Sequence, residues 1–379
     1  MFVELHMIQN FSPSNLNRDD TNNPKDCEFG GVRRARISSQ CIKRAIRTCR
    51  VFAEVTGVDL GTRTRLVTRL LRDRLIQAGR PEVEVDAIVP AFVDKYAADK
   101  KTPGLDKEGR TRLLYVSESE VAELVKSLLD NWGALFAEDT RDGAIATIAK
   151  PYGRKPREVT SAPDIALFGR MLTALPQLNL EAACQVAHAI STHRVTMEMD
   201  FFTAVDDLQE SEETGAGMMG FVGFDSACFY RYARIDWGQL VKSLKGDVDL
   251  ARRTVEGFLR ASLAAVPSGK QNTFAAHNPP SLSLAVVRRD GMGWSLANAF
   301  ERPVRAEREG GLVAPSVAAL DQYWGRMCDV YGTATLATIA ALLLEPDLPL
   351  DRLQDARVQN VDQWVSVVTG ALGAGEVSP

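Results

Sequence analysis

The chain has 379 residues, 45% of them apolar and 25% charged, which are the proportions of an ordinary globular protein with two domains or one domain carrying large insertions. Asp and Glu outnumber Lys and Arg by 49 to 45, a near-neutral balance that excludes a uniformly basic nucleic-acid binder and shifts attention to local patches. The best apolar run, "LATIAALLL", is too short for a membrane span, no basic leader precedes an apolar block, and the six cysteines form no CxxC pair, so the expectation is a soluble cytoplasmic protein with reduced thiols and no membrane partner.

The opening "MFVELHMI" alternates and reads as a strand. A polar loop follows, "NFSPSNLNRDDTNNPKDCEFGG", built from the Asn, Asp, Pro and Gly of irregular turns. Ser38 or Ser39 then stands at the N-cap position of a helix "QCIKRAIRTCRVFAEV". Its Ile42, Ala45, Ile46, Cys49 and Phe52 fall on one face, and Lys43, Arg44, Arg47 and Arg50 on the other. Residues 29–53 hold seven bases and no acid. Residues 57 to about 180 look mainly helical, with "RTRLVTRLLRDRLIQAG" and "SESEVAELVKSLLDNWGALFAE" clearest, and read as an insertion. "EAACQVAHAISTHRVTMEM" turns into a strand in its later half. Residues 195–230 then carry eight acids and no base, and the acidic, Gly-rich part up to residue 223 is too long for a tight turn. "SACFYRYARIDW" reads as a strand and "DLARRTVEGFLRASLAAV" as a helix with Leu250, Val255, Phe258 and Leu259 inward. "SLSLAVVRR" is a further strand, and helices close the chain at about 314–343 and 360–372.

With the insertion and the acidic loop excised, the order is β-α-β-β-α-β, that of a ferredoxin-like or RRM-like domain. The predicted fold class is α+β. Sheets of this kind can carry RNA on an open face, but the fold alone gives no function.

In the basic segment, Gly30 and Gly31 allow close backbone approach to a ligand, and Arg33, Arg34 and Arg36 precede the helix whose side carries Lys43, Arg44 and Arg47. A phosphate chain running past these cations would bind in a salt-dependent way, with Ser38, Ser39 and Gln40 bonding phosphate or sugar oxygens. A merely solvated cationic face is the alternative. "PSGKQNT" lacks the first glycine of a P-loop and the Ser/Thr after its lysine. The adjacent Phe201 and Phe202 of "DFFTAVDD" suit aromatics that stack on bases or wedge between them, or else a local cluster. The acidic loop, including Glu210, Glu212 and Glu213, would repel phosphates but could dock on the basic surface of another copy, giving a head-to-tail filament. His6, His188, His193 and His277 show no metal-ligand spacing, and no nucleophile elbow is present. Asp19-Asp20 and Asp206-Asp207 could bind Mg²⁺ and cleave RNA, but adjacent Asp pairs are common in loops. The expectation is no enzyme, no metal and no cofactor.

The stretch "SPSNLNRDDTNNPKDCEFGGVRRARISSQCIKRAIR" resembles the CasC family, the backbone subunit of the type I-E CRISPR surveillance complex Cascade. "DIALFGRM", "AHAISTHRVTMEMDFFTAVDDLQE", "FYRYARI", "VPSGKQNTFAAHNP", "LANAFERPV" and "SVAALDQYWGRM" extend the resemblance in order across most of the chain, and the helical block before residue 164 matches least. The resemblance implies a hand-shaped protein with an RRM-like palm at 1–56, 181–196 and 224–379. Helical fingers would occupy 57–180 and a thumb-like loop 197–223. It further implies copies that stack along the spacer of a CRISPR RNA beside large, small, 5′-handle-binding and RNA-processing subunits. Thumbs would kink bases at intervals and leave the rest to pair with target DNA. By motif position, Arg18, Lys25, Ser38, Gln40, Lys43, Arg44 and Arg47 would contact the RNA backbone, while Met171, Phe202 and Thr203 would frame the kinked base. Phe201 is the competing ring, and Asp20, Arg33 and Arg34 complete the expected RNA-contacting set. The family's lysine-rich finger helix, proposed to guide double-stranded DNA, has a net acidic counterpart here in "SESEVAELVKSLLD". That leaves Lys150, Arg154, Lys155 and Arg157 as its replacement, or a solvated loop. The alternatives are a metal-dependent RNA endonuclease using Asp20, and a generic single-stranded RNA-binding module.

Overall fold

The structure, a computed structural model, describes residues 1–98, 102–136, 140–149, 158–172, 175–204 and 218–373. In chain order the elements begin with β1 (Phe2–Ser14), β2 (Asp26–Phe29), β3 (Val32–Ile37), α1 (Ser39–Arg47) and α2 (Arg50–Thr56). Next come β4 (Thr62–Thr64), α3 (Val67–Gln77), α4 (Glu82–Ala97), β5 (Leu114–Val116), α5 (Glu118–Asp130), α6 (Trp132–Phe136), α7 (Arg141–Ala149) and α8 (Pro163–Phe168). They continue with β6 (Cys184–Val186), β7 (Ala189–Ser191), β8 (Glu198–Ala204), β9 (Met218–Asp236), α9 (Trp237–Ser243), α10 (Val248–Ala264) and α11 (Gln271–Phe274). The last are β10 (Leu282–Arg288), α12 (Val313–Tyr331), β11 (Leu336–Leu343), β12 (Arg357–Val358) and α13 (Val361–Gly370). Two compact units divide the chain. One comprises 1–55, 185–236 and 255–379, the other 56–184 and 237–254.

The first unit is built on a sheet ordered β12-β11-β10-β1-β9-β7-β3-β2, which β6 and β8 join through β9. At its centre β10, β1, β9 and β7 lie side by side, each antiparallel to its neighbour. Numbered along the chain these are strands 4-1-3-2, the arrangement that a β-α-β-β-α-β order gives when both crossovers are right-handed. The α+β, ferredoxin-like palm expected from the sequence is therefore present.

One feature of that palm differs from an open RNA-binding sheet. The β1 residues Val3–Gln9 are all buried, on both sides of the strand. Leu5 and Met7 line a small gap with Ile42 and Ile46 of α1 and Phe258 of α10. On the other side Ile8 joins a core with Tyr230, Leu284, Val286, Trp294, Phe300, Val317, Leu320 and Trp324, so α12 and the 294–300 segment cover that face. The central strands leave no sheet face open to a base. The polar residues on that side make an internal network. The Glu4 carboxylate accepts from Arg288 Nε at 2.6 Å, Trp294 N at 2.6 Å and Tyr232 Oη at 2.8 Å. The Arg288 guanidinium also lies 3.7 Å over the Trp294 ring. His6 Nδ1 stands 2.9 Å from Tyr230 Oη, which accepts from Leu296 N. Burial pushes His6 down to about 4, so the ring is neutral in the fold.

Three local expectations change. "LATIAALLL" is not the end of a helix. α12 stops at Tyr331, Gly332 follows at φ 77°, and Leu336–Leu343 forms β11 against β10. A short apolar run fits a buried strand as well as a helix, and the glycine decides. The cationic helix is two helices, with Thr48 capping α1. Gly30 and Gly31 form the tight turn of the β2–β3 hairpin at φ 63° and 71°, where both central residues need the left-handed region. A Cβ on Gly30 would stand 1.8 Å from the Glu301 carbonyl oxygen, so its bareness serves packing rather than a ligand.

Arg34 is a further correction. Its side chain is fully buried, leaving no face for RNA. Nε donates to the Phe29 carbonyl at 3.1 Å, Nη1 to Ser191 at 3.2 Å, and Nη2 to Phe300 at 2.8 Å and Glu301 at 3.2 Å. One guanidinium thus ties β3 to the hairpin turn, the end of β7 and the 300–301 segment.

The second unit is a helical cluster around Leu71, Leu75, Ile88, Phe92, Leu124, Leu128 and Leu135, with a β4–β5 ribbon beside it. Ser117 and Glu120 form a capping box at the start of α5.

Replacing Arg34 with Met should lower the unfolding free energy by about 3 kcal/mol, because the buried Ser191 and Phe300 carbonyls and the part-buried Phe29 and Glu301 carbonyls lose their donor. Chemical denaturation checks this, and a loss below about 1 kcal/mol would contradict the role. The depressed His6 pKa contributes stability that is fully present above pH 6.5 and is lost as the pH falls toward about 4, since the unfolded ring takes up the proton first. Between about pH 7 and pH 4.5 the wild type should therefore lose up to roughly 3 kcal/mol more than His6→Gln, whereas equal losses would contradict it.

Candidate nucleic-acid interface

In the first unit the polar loop, α1 and the segment before α11 enclose a cleft of about 650 Å³. Leu16–Asp20 and Asn22 form one wall, and Cys41, Arg44, Thr48 and Cys49 the floor. Ala264–Gly269 and His277 form the far wall.

The polar loop is shaped by Asp19. Its carboxylate accepts from Thr21 N at 2.9 Å, Thr21 Oγ1 at 2.8 Å and Asn23 N at 3.0 Å. The Thr21 hydroxyl leads the hydrogen bonds that hold this carboxyl below the usual carboxylate range. Arg18 Nη1 donates to Asn22 Oδ1 at 2.8 Å, leaving Arg18 and Asp20 exposed along the cleft. The loop then hands over to the helix, since Asn17 Oδ1 accepts from Ser38 N at 2.8 Å. Ser38 Oγ in turn caps α1 by accepting from Cys41 N, so this hydroxyl is committed to the helix end and nearly buried.

From that fixed start, Gln40 and Arg44 point to solvent, and Lys43 and Arg47 are half-buried on the same helix. Arg44 and Arg47 sit in the last turn, where the helix dipole favours cations. The Arg44 guanidinium meets no carboxylate among the described residues, whereas Arg50 pairs with Glu54 at 2.6 Å. Lys25 is half-buried, close enough to His188 that its charge and that of Arg36 join burial in lowering the ring's pKa. Arg36 Nη1 lies 3.1 Å from His188 Nδ1. Arg33 is exposed and paired with Asp26. The structure thus gathers Arg18, Asp20 and Arg44 in one cleft and places Gln40, Lys43 and Arg47 along the helix bordering it.

The thumb-like segment is a two-stranded ribbon where it is described. β8 pairs antiparallel with the first part of β9, setting Phe201 opposite Phe221 and Phe202 opposite Gly220. Side chains alternate across a ribbon, so the two neighbouring phenylalanines lie on opposite faces. Phe201 packs on Phe221 with ring centroids 5.2 Å apart, and both are more than half exposed, as is Met199. Phe202 lies across Gly220, where a Cβ would come within 2.5 Å of the ring. Thr203 is exposed on the Phe201 face. Residues 205–217, with Asp206, Asp207, Glu210, Glu212 and Glu213, lie outside the described residues.

Met171 belongs to the second unit and is 85% exposed. The preceding Arg170 is buried, donating to Glu120 at 2.8 Å, the Tyr115 carbonyl at 2.9 Å and the Leu178 carbonyl at 2.6 Å. That anchor holds the next residue outward. Lys150, Arg154, Lys155 and Arg157 lie outside the described residues, and the acidic finger helix is α5.

Sequence reasoning did not place the far wall of the cleft. In the sequence "PSGKQNT" fails as a phosphate loop and otherwise only extends the resemblance, with no place in a site. Its Gln271 Nε2 donates to the Pro267 carbonyl at 3.0 Å and closes a compact loop, with Lys270 held at φ 48°. Phe221, the partner of Phe201, was also missed, because only the register reveals that pair. Among the described residues no group of three or more His, Cys, Asp or Glu side chains is placed to hold a metal ion, and no helix is long and apolar enough to cross a membrane.

Comparison with known proteins places this geometry in a family. The chain is similar to a chain of a solved "CRISPR RNA-guided surveillance complex, pre-nicking", with 31% identity, 98% of this chain and 100% of the other covered, and a TM-score of 0.84. A chain of another "CRISPR RNA-guided surveillance complex" is similar at 27% identity, covering 98% and 99%, with a TM-score of 0.63. No curated protein sequence matches. The family described as CT1975-like protein (Cas_CT1975) matches over residues 3–366, and the chain belongs to that family.

Proposed function

We propose that this protein is the RNA-binding backbone subunit of a Cascade-type CRISPR surveillance complex, of the CasC kind found in type I-E systems. Copies polymerise head to tail along a CRISPR RNA. The observation that carries the reading is the end-to-end likeness, at a TM-score of 0.84, to a chain of an RNA-guided surveillance complex.

The residues supply a division of labour that suits it. Arg18, Lys25, Gln40, Lys43, Arg44 and Arg47 offer cations and an amide along one path, which suits a phosphate chain and reads no base. The exposed Phe201–Phe221 pair offers rings on which a displaced base stacks, whatever its identity. The bases left between arms then pair with target DNA, so pairing rather than protein reads the sequence. Glu198 and Asp200 on the arm are exposed and acidic, a sign that repels RNA phosphates and fits the basic surface of a neighbouring copy. In this reading the protein is a cytoplasmic scaffold rather than an enzyme, needs no cofactor, and works beside large, small, 5′-handle-binding and RNA-processing subunits.

Salt dependence tests the track. Binding of single-stranded RNA should weaken linearly in log–log form as salt rises, and the Lys43→Ala, Arg44→Ala, Arg47→Ala triple variant should flatten the slope by about 2. An unchanged slope would place the RNA elsewhere.

A further inference from the structure

The cleft loop and the arm meet at one buried side chain. Asn15 directly follows β1 and is fully buried. Its Nδ2 donates to the Gly223 carbonyl at 2.8 Å and to the Asn22 carbonyl at 3.1 Å. Two carbonyl acceptors fix the orientation of the amide, because only its nitrogen carries two hydrogens. Gly223 lies in β9 opposite Met199, two positions before the Phe201–Phe221 pair runs outward along the arm, about 7 Å away. Asn22 closes the loop that presents Arg18 and Asp20.

Two further contacts make the junction stiff. A Cβ on Gly223 would stand 2.5 Å from Asn23 Oδ1 and 3.1 Å from Met197 Sδ, so the polar loop lies directly on the backbone at the arm's base. A Cβ on Gly269 would stand 2.4 Å from the Leu16 carbonyl oxygen and 2.6 Å from that of Asn15, so the far wall of the cleft rests on Asn15 and its neighbour Leu16. The loop cannot yield easily, because Asp19, Thr21 and Asn23 are bonded to one another. The β1–β9 ladder shifts register just before this point, between Phe11 and Ser14, which leaves the Asn15 amide to carry the connection where strand pairing ends.

We infer that Asn15 is a positioning residue: it holds the arm's aromatic pair at a fixed distance from the cationic track and so sets where along the RNA a base is displaced. The inference rests on the proposed RNA-backbone function. Neither Asn15 nor Gly223 touches the RNA in this account. Removing the link should therefore spare phosphate contacts, which carry affinity, while blurring the register of the displaced bases.

The test uses the full chain and single-stranded RNAs carrying 2-aminopurine at successive positions, whose fluorescence rises where a base is unstacked. The wild type should show bright positions at regular intervals. Asn15→Ala and Gly223→Ala should each reduce the contrast between bright and dark positions by about twofold or more, while affinity stays within about threefold. Denaturation midpoints confirm that the variants fold. Unchanged contrast in both folded variants would overturn the inference, as would a loss of contrast that merely tracks a loss of affinity. A wild type with no bright positions would instead remove the base-displacing arm from the proposed function, taking this inference with it.

Discussion

A guanidinium buried without a carboxylate fixes where the candidate interface begins. Arg34 satisfies its charge with the dipoles of four carbonyls drawn from the hairpin turn, the end of β7 and the 300–301 segment. Charge buried in this way is costly to leave unpaired, so the segments it touches have little freedom. Ser38 caps α1 only four residues later, and the orientation of the cationic helix follows from that anchor. An arginine expected among the RNA contacts instead holds in place those that can make one.

The interface divides its chemistry between two kinds of element. Cations sit on α1 and the polar loop, packed against a palm whose central strands are covered on both faces. Apolar rings sit on a ribbon that projects from the long strand β9, whose inner part pairs with β1 along most of that strand. Because the sheet is closed over by α12, bases cannot lie on it as they do on an open RNA-binding sheet. A chain of phosphates following the helix edge, with rings supplied from the side, fits what remains.

Much of this was legible in the sequence, and the exceptions have physical causes. The β-α-β-β-α-β order survived a helical insertion because α10 sets Leu250, Val255, Phe258 and Leu259 at helical spacing, while β1 and β10 are apolar-rich segments buried on both faces. The charge asymmetry located α1, and the Ser38–Ser39 pair bounded its start, with Ser38 the residue that caps it. The sequence could not separate Arg34 from Arg33: both are cations in one strand, and only alternation about the buried face tells them apart. β11 read as helix because an apolar run of its length has no distinguishing period. The thumb read as a loop because its ribbon pairs residues about 20 positions apart, a separation that local patterning does not register. Asn15 gave no signal at all, since one more Asn in an Asn-rich loop looks like turn chemistry until Gly223 is found beneath it.

The central claim is that copies of this chain line up along RNA, and weighing the complexes tests it most directly. Mixed with single-stranded RNAs of increasing length, the protein should form particles whose mass rises in steps of one protomer for each fixed increment of RNA. A single protomer bound at every length would contradict the account.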